Sequence, residues 1–188
     1  MKPLLFAALL AFGAALPAAA QQQPQQPQQL DPQNTIYLDT KDGRVTIRLR
    51  PDLAPRHVQQ IKTLAQRGFY DGIVFHRVID GFMAQTGDPT GTGTGGSQLP
   101  NIPAEFSREP FKRGSVGMAR SQSPNSANSQ FFICYDGCGS LTGQYTLLGE
   151  VVSGMDVVDK IKKGSSAQNG QVQNPDKIVT MRLATDAQ

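Results

Sequence analysis

The reading of this chain turns on Phe75-His76-Arg77-Val78-Ile79-Asp80-Gly81-Phe82-Met83-Ala84-Gln85. Two strand-like runs, Ile73 to Ile79 and Phe82 to Thr86, lie on either side of Asp80-Gly81. Residues two apart in a strand share a face, so Met83 and Gln85 point the same way. A later run, Gln130-Phe131-Phe132-Ile133-Cys134, repeats the pattern with Gln130 and Phe132. Each strand therefore offers one amide and one large apolar group on a common face, and Arg77 can join them from a neighbouring strand. An apolar floor beside a guanidinium and two amides suits a short uncharged peptide, above all a proline ring. Taken singly, the same residues read as ordinary core and a solvated arginine.

Upstream, Ile36 and Leu38 alternate with polar residues, Asp42-Gly43 signals a turn, and Val45, Ile47 and Leu49 alternate again, which predicts a hairpin. Pro55 is suited to the first position of a helix whose apolar stripe is Val58, Ile61, Leu64 and Ala65, and Gly68 stops it. Downstream, further strand-like runs cover Val116 to Ala119, Gln130 to Tyr135, Thr146 to Val151 and Ile178 to Leu183. A second helical pattern spans Met155 to Ile161, with Met155, Val158 and Ile161 on one side. Many short strands between Gly and Pro turns, with two helices set apart, predict a mainly β chain, an antiparallel barrel capped by two helices.

The 188 residues hold one ordinary domain. Met1-Lys2 followed by an apolar run from Leu4 and by Pro17-Ala18-Ala19-Ala20 fits an export signal over residues 1–20, cleaved before Gln21. Read as an uncleaved anchor, Leu4 to Ala20 gives 17 residues, at the low limit for a span and ending in a helix breaker. After signal removal no stable membrane insertion is expected, and the export reading places the protein outside the cytoplasm, in the periplasm of a two-membrane cell. Residues 21–34 are Gln- and Pro-rich with Leu30 as the one large apolar residue, so they read as a disordered tether, and the domain is expected over 35–188.

Composition removes several function classes. A net charge of +3 spread over 188 residues, without clustered Lys and Arg, gives little field for nucleic acid. Gly91-Thr92-Gly93-Thr94-Gly95-Gly96 lacks the Gly-Lys-Ser/Thr ending of a phosphate loop. Two His and two Cys make a dedicated metal site improbable, and no cofactor is expected. Ser121, Ser123 and Ser126 have no nearby His-Asp partnership for hydrolysis. His57 is expected at the surface beside its helix stripe, and His76 as a hydrogen-bonded structural imidazole facing away from Arg77. Cys134 and Cys138 enclose Tyr135-Asp136-Gly137, a turn-capable stretch, and both a disulfide and two free thiols fit that spacing.

Taken in order, Phe75-His76-Arg77-Val78-Ile79, Phe82-Met83-Ala84-Gln85, Gly93-Thr94-Gly95-Gly96, Met118-Ala119-Arg120 and Ser129-Gln130-Phe131-Phe132-Ile133 resemble the signature series of the cyclophilins. The resemblance covers about Thr35 to Leu183 and is nearest to bacterial members in Ile102-Pro103-Ala104-Glu105-Phe106 and Ser123-Pro124-Asn125-Ser126-Ala127-Asn128. It implies an eight-stranded antiparallel barrel with two capping helices and peptidyl-prolyl cis-trans isomerase activity on proline-containing polypeptides. It also implies Arg77 as the catalytic arginine and Phe82, Met83, Phe132 and Leu141 as the proline pocket. Gln85 and Gln130 match groups contacting the peptide, Ala119 and Arg120 a segment binding it in extended form, and Gly93 a loop glycine beside it. Ser140 stands where the best-known eukaryotic members have tryptophan, and Tyr145 where they have histidine, so cyclosporin binding is expected to be weak. The alternative is a module that holds proline segments as a chaperone or scaffold, with incidental catalysis.

Overall fold

The computed structural model describes residues 29–187, so the expected signal and most of the expected tether lie outside the described residues. In chain order the elements are β1 (Thr35–Thr40), β2 (Gly43–Leu49), α1 (Pro55–Gln66), β3 (Arg77–Ile79), β4 (Met83–Thr86), β5 (Ser115–Met118), β6 (Phe131–Cys134), β7 (Leu147–Ser153), α2 (Met155–Lys160) and β8 (Thr180–Leu183). The strands form one eight-stranded antiparallel sheet in the order β3-β4-β6-β5-β7-β2-β1-β8. The sheet curls into a barrel with one irregular seam. There the Phe75 N–H donates to the Asp176 carbonyl at 2.9 Å, Ile178 N–H to Ile73 at 2.9 Å and Val78 N–H to Gly170 at 2.8 Å. The expected strand from Ile73 shrinks to Arg77–Ile79 for this reason. Its partner segment contains Pro175 and the left-handed Asn169, Gly170 and Asn174, which break a regular ladder.

The first hairpin forms with Lys41-Asp42 as its loop, one residue earlier than the Asp42-Gly43 signal suggests, because Thr40 pairs with Gly43. Gly43 has φ +135° and starts β2. Pro55 opens α1 and Gly68, at φ +66°, follows its end. Two expectations are corrected. The expected tether is folded from Asp31, whose carboxylate accepts from the Gln33 N–H at 2.9 Å and the Asn34 amide at 2.6 Å around a 3₁₀ turn over Pro32–Asn34. A capped Asp-Pro turn needs little buried surface, since its hydrogen bonds are local. His57 is fully buried rather than at the surface. Its Nδ1 meets Glu105 Oε2 at 2.7 Å, and the same carboxylate accepts the Arg56 and His57 N–H groups at 3.2 Å each. Ala54 provides no side-chain cap for α1, so Glu105 fills that role from 48 residues away.

Ile36, Leu38, Val45, Ile47, Val116, Met118, Phe131, Ile133 and Met181 fill the barrel, with Val58, Ile61 and Leu64 of α1 and Val157 and Val158 of α2 closing it. Tyr70 packs edge-on to Phe131 at 5.6 Å between centroids. A second, smaller cluster lies on the other side of the same strands. It holds Met83, Phe111, Phe132, Cys134, Cys138 and Leu147, with Phe82, Ala119, Leu141 and Tyr145 packed around it.

Candidate active site

Strand register builds the site. Arg77 pairs with Gln85, Gln85 with Phe132, and Phe132 with Gly117, so these four stand abreast across β3, β4, β6 and β5. A neighbouring row runs Ile79, Met83, Cys134. Both rows face outward because Val78, Ala84, Ile133 and Val116, between them in sequence, face the core. At Gly117 a Cβ would lie 2.4 Å from Phe132 Cζ and 2.7 Å from Phe111 Cε1. Glycine there lets Phe132 lie across β5 and stack on Phe111, with centroids 5.9 Å apart and planes at 25°.

Along the far wall, the Cys134–Cys138 disulfide ties the end of β6 to a 3₁₀ turn over Gly139–Leu141. Of the two alternatives the spacing allowed, the structure has the bridge. Its Cys138 sulfur sits 3.2 Å from the Phe82 carbonyl oxygen, while the Tyr135 N–H donates to that oxygen at 2.8 Å. The turn presents Leu141, and the Tyr145 N–H donates to the Leu141 carbonyl at 3.1 Å. Tyr145 stands edge-on to Phe132 at 5.8 Å.

The result is a cleft of about 480 Å³. Arg77, Phe82, Met83, Gln85, Gly93, Ala119, Arg120, Phe132, Leu141 and Tyr145 all line it. Gln130 instead lines an adjoining hollow of about 560 Å³, which shares Gln85, Gly93, Ala119 and Arg120 with the first. Sequence reasoning missed Asn169, which grips Arg77 twice. Arg77 Nε donates to the Asn169 carbonyl at 3.0 Å and Nη2 to its Oδ1 at 2.9 Å. Asn169 does so at φ 53°, a left-handed conformation that Asn tolerates and that the dipeptide Asn169-Gly170 signals. Phe111 was missed as well, since nothing near it in sequence shows that it stacks under Phe132.

A directional chain of hydrogen bonds completes the cradle. Gln130 Nε2 donates to the carbonyls of Gly93 at 3.1 Å and Gly95 at 2.8 Å, so its Oε1 must turn to Gln85. Gln85 Nε2 donates to that oxygen at 2.8 Å, leaving Gln85 Oε1 to accept from Arg77 Nη1 at 3.2 Å. A guanidinium has five N–H donors, so one N–H on each terminal nitrogen stays unclaimed among the described residues. Burial lowers the Arg77 pKa, opposed by the nearby Tyr145 phenol, yet an arginine stays charged at neutral pH. His76 corrects a further expectation. It is buried at the lip of the cleft, against Gly93, and neither ring nitrogen has a hydrogen-bond partner among the described residues; burial holds it towards the neutral form.

The cleft thus sets a fixed cation, Arg77 held by Asn169 and Gln85, beside an apolar floor. The family model described as cyclophilin type peptidyl-prolyl cis-trans isomerase matches residues 35–183, and the chain belongs to that family as a peptidyl-prolyl cis-trans isomerase. A "probable peptidyl-prolyl cis-trans isomerase" of Brucella suis biovar 1 is 61% identical over 167 residues, covering 83% of this chain and 85% of that one. Among solved structures, cyclophilin AquaCyp293 from Hirschia baltica superposes with a TM-score of 0.75 at 28% identity, over 84% of this chain and 76% of its own. A Cryptosporidium parvum cyclophilin-type isomerase, whose crystal structure was determined in the presence of the dipeptide Ala-Pro, gives 0.71 at 27% identity over 79% and 98%.

Proposed function

We propose that the cleft seats a proline ring on Phe82, Met83, Phe132 and Leu141 while Arg77 stabilises the X-Pro bond halfway through rotation. Resonance holds that bond planar behind a barrier of about 18–20 kcal/mol, and its isomers interchange over tens to hundreds of seconds. Twisting the bond ends the resonance and leaves a lone pair on a pyramidal prolyl nitrogen. A donor aimed at that nitrogen binds the twisted state better than the planar one, which is the condition for catalysis. Holding the ring on an apolar floor lets the acyl side turn, and excluding water strengthens the hydrogen bond. Gln85, Gln130 and Gly93 meet the peptide beyond the ring, Ala119 and Arg120 hold it extended, and Tyr145 closes the wall.

The observation that carries this reading is the pair of unclaimed guanidinium N–H groups, held by Asn169 and Gln85 beside Phe132. Exchange NMR on an X-Pro peptide tests it. Arg77→Ala is expected to lower kcat/KM by about 10²–10³-fold, the scale of losing one preorganised donor, with little change in Tm. A mutant that keeps wild-type kcat/KM refutes the mechanism. We further propose that the clients are exported proteins folding in the periplasm, on the support of the export signal expected over residues 1–20. Cyclosporin is a weak ligand in this reading, because Ser140 offers no indole donor.

A further inference from the structure

Arg44, Arg48, Arg50, Arg113 and Arg182 each meet a carboxylate, at 2.5–2.7 Å, from Asp39, Glu150, Asp52, Asp159 and Asp71 respectively. Arg120 is held differently. Its Nε and Nη2 donate to the Gln144 carbonyl at 3.3 and 3.1 Å, and Nη1 to those of Ser121 and Gln122 at 3.0 and 3.3 Å. The guanidinium lies 4.5 Å from the centre of the Tyr145 ring. Neutral carbonyls and a ring face fix the group in place without cancelling its charge.

Its position gives that charge something to act on. Arg120 stands on the rim shared by the cleft and the adjoining hollow, and it is the one charged residue among the described residues lining that hollow. No carboxylate among the described residues lines either space. The nearby acid, Asp88, is buried under the glycine loop, where it accepts from the Thr90 N–H and hydroxyl at 2.8 Å and from the Gly93 and Gly95 N–H groups at 2.6 and 3.1 Å. A peptide leaving the proline floor for the hollow therefore crosses an uncompensated cation.

We propose that Arg120 sets sequence preference: peptides with an acidic side chain flanking the proline are favoured, and those with a basic one disfavoured. This rests on the cleft being the proline site. Two unit charges about 5 Å apart in water-like surroundings are worth about fourfold in rate or affinity. Attraction of Glu and repulsion of Lys together then give a preference of about tenfold.

The test is kcat/KM by exchange NMR for peptides that differ only in carrying Glu, Ala or Lys, directly before the proline in one series and directly after it in the other. Wild type, Arg120→Lys and Arg120→Gln are compared at low salt and at about 0.5 M, where screening acts within a few ångströms. In at least one series Glu is expected to exceed Lys by about tenfold at low salt. That ratio shrinks to about twofold at high salt. Arg120→Lys keeps the ratio and Arg120→Gln removes it. Equal rates for Glu and Lys in both series, or a ratio unchanged in Arg120→Gln, overturn the proposal. Should Arg120→Gln not fold, a wild-type ratio insensitive to salt overturns it equally. Arg77→Ala on the Ala peptides separates the two readings. Undiminished turnover there removes the proline site itself, whereas dependence on Arg77 with a flat Glu/Lys ratio removes the charge selection alone.

Discussion

The two faces of β4, β6 and β5 carry similar residues and do different work. Phe131 and Phe132 are neighbours in sequence, 1% and 4% exposed, yet they belong to separate clusters. The inward face, with Phe131, Ile133, Val116 and Met118, is covered by two helices and the rest of the barrel. The outward face, with Met83 and Phe132, packs against Phe111, Leu141 and Tyr145 and forms the floor of the cleft beside Arg77. An apolar group sealed on every side contributes to stability. One that also floors a cleft contributes binding surface as well, and a cation beside it decides what chemistry that surface supports.

Matched truncations break or sharpen this contrast. Phe131→Ala is expected to cost about 3–5 kcal/mol of unfolding free energy, the usual loss for a large core aromatic, with kcat/KM of the remaining folded protein nearly unchanged. Phe132→Ala is expected to cost a similar amount of stability, because the ring is nearly as buried and packs on Phe111 and Tyr145. It should lower kcat/KM by about tenfold or more through loss of the ring's apolar floor. Denaturant melts and exchange NMR on both variants decide. If the two lose activity equally, the faces are not functionally distinct.

Much of this division was legible in the sequence, because it follows from the two-residue period of a strand. That Met83 shares a face with Gln85, and Gln130 with Phe132, follows from alternation alone. The α1 stripe and its Pro55 start were legible for the same reason, being local. What escaped were partners fixed by the closure of the barrel. Asn169 reaches Arg77 across 92 residues, and the Glu105 that caps α1 and buries His57 comes from a distant loop. Helical position placed His57 beside the stripe, and burial followed from a carboxylate that periodicity cannot see. His76 was misjudged because the irregular seam replaces the strand in which its face was reckoned. The tether was misjudged at Asp31 because a capped turn orders without apolar burial.

A single methyl group probes the outward face more gently. Gly117→Ala puts a carbon where Phe132 and Phe111 now approach a would-be Cβ at 2.4 and 2.7 Å. The stacked rings are packed, so they must shift rather than swing aside. Overpacking of this kind costs about 1–3 kcal/mol, and the shift of Phe132 is expected to raise KM more than it lowers kcat. An unchanged KM would mean that the stack can move without disturbing the floor.

Acid offers the mildest test, because it strains the framework before it touches the chemistry. Burial lowers the His57 pKa below its ordinary 6.5, although Glu105 pulls it upward, and burial also lowers that of His76. An unfolded chain then takes up these protons at a higher pH than the folded one does. The stability tied to neutral imidazoles is complete above about pH 6.5 and is lost as pH falls through the lower folded values. Glu105 follows at lower pH: burial raises its pKa, but hydrogen bonds from His57 and from the Arg56 and His57 backbone outweigh that and hold it below 4.5. Thermal melts between about pH 7.5 and 5 are expected to show Tm falling with acid, and His57→Gln to flatten part of the slope while His76 retains the rest. Above pH 7 kcat/KM should stay level, since rotation about the X-Pro bond needs no proton transfer and Arg77 remains charged. A wild-type Tm indifferent to pH, or a slope untouched by His57→Gln, would show that the buried imidazole is not what couples the framework to protons.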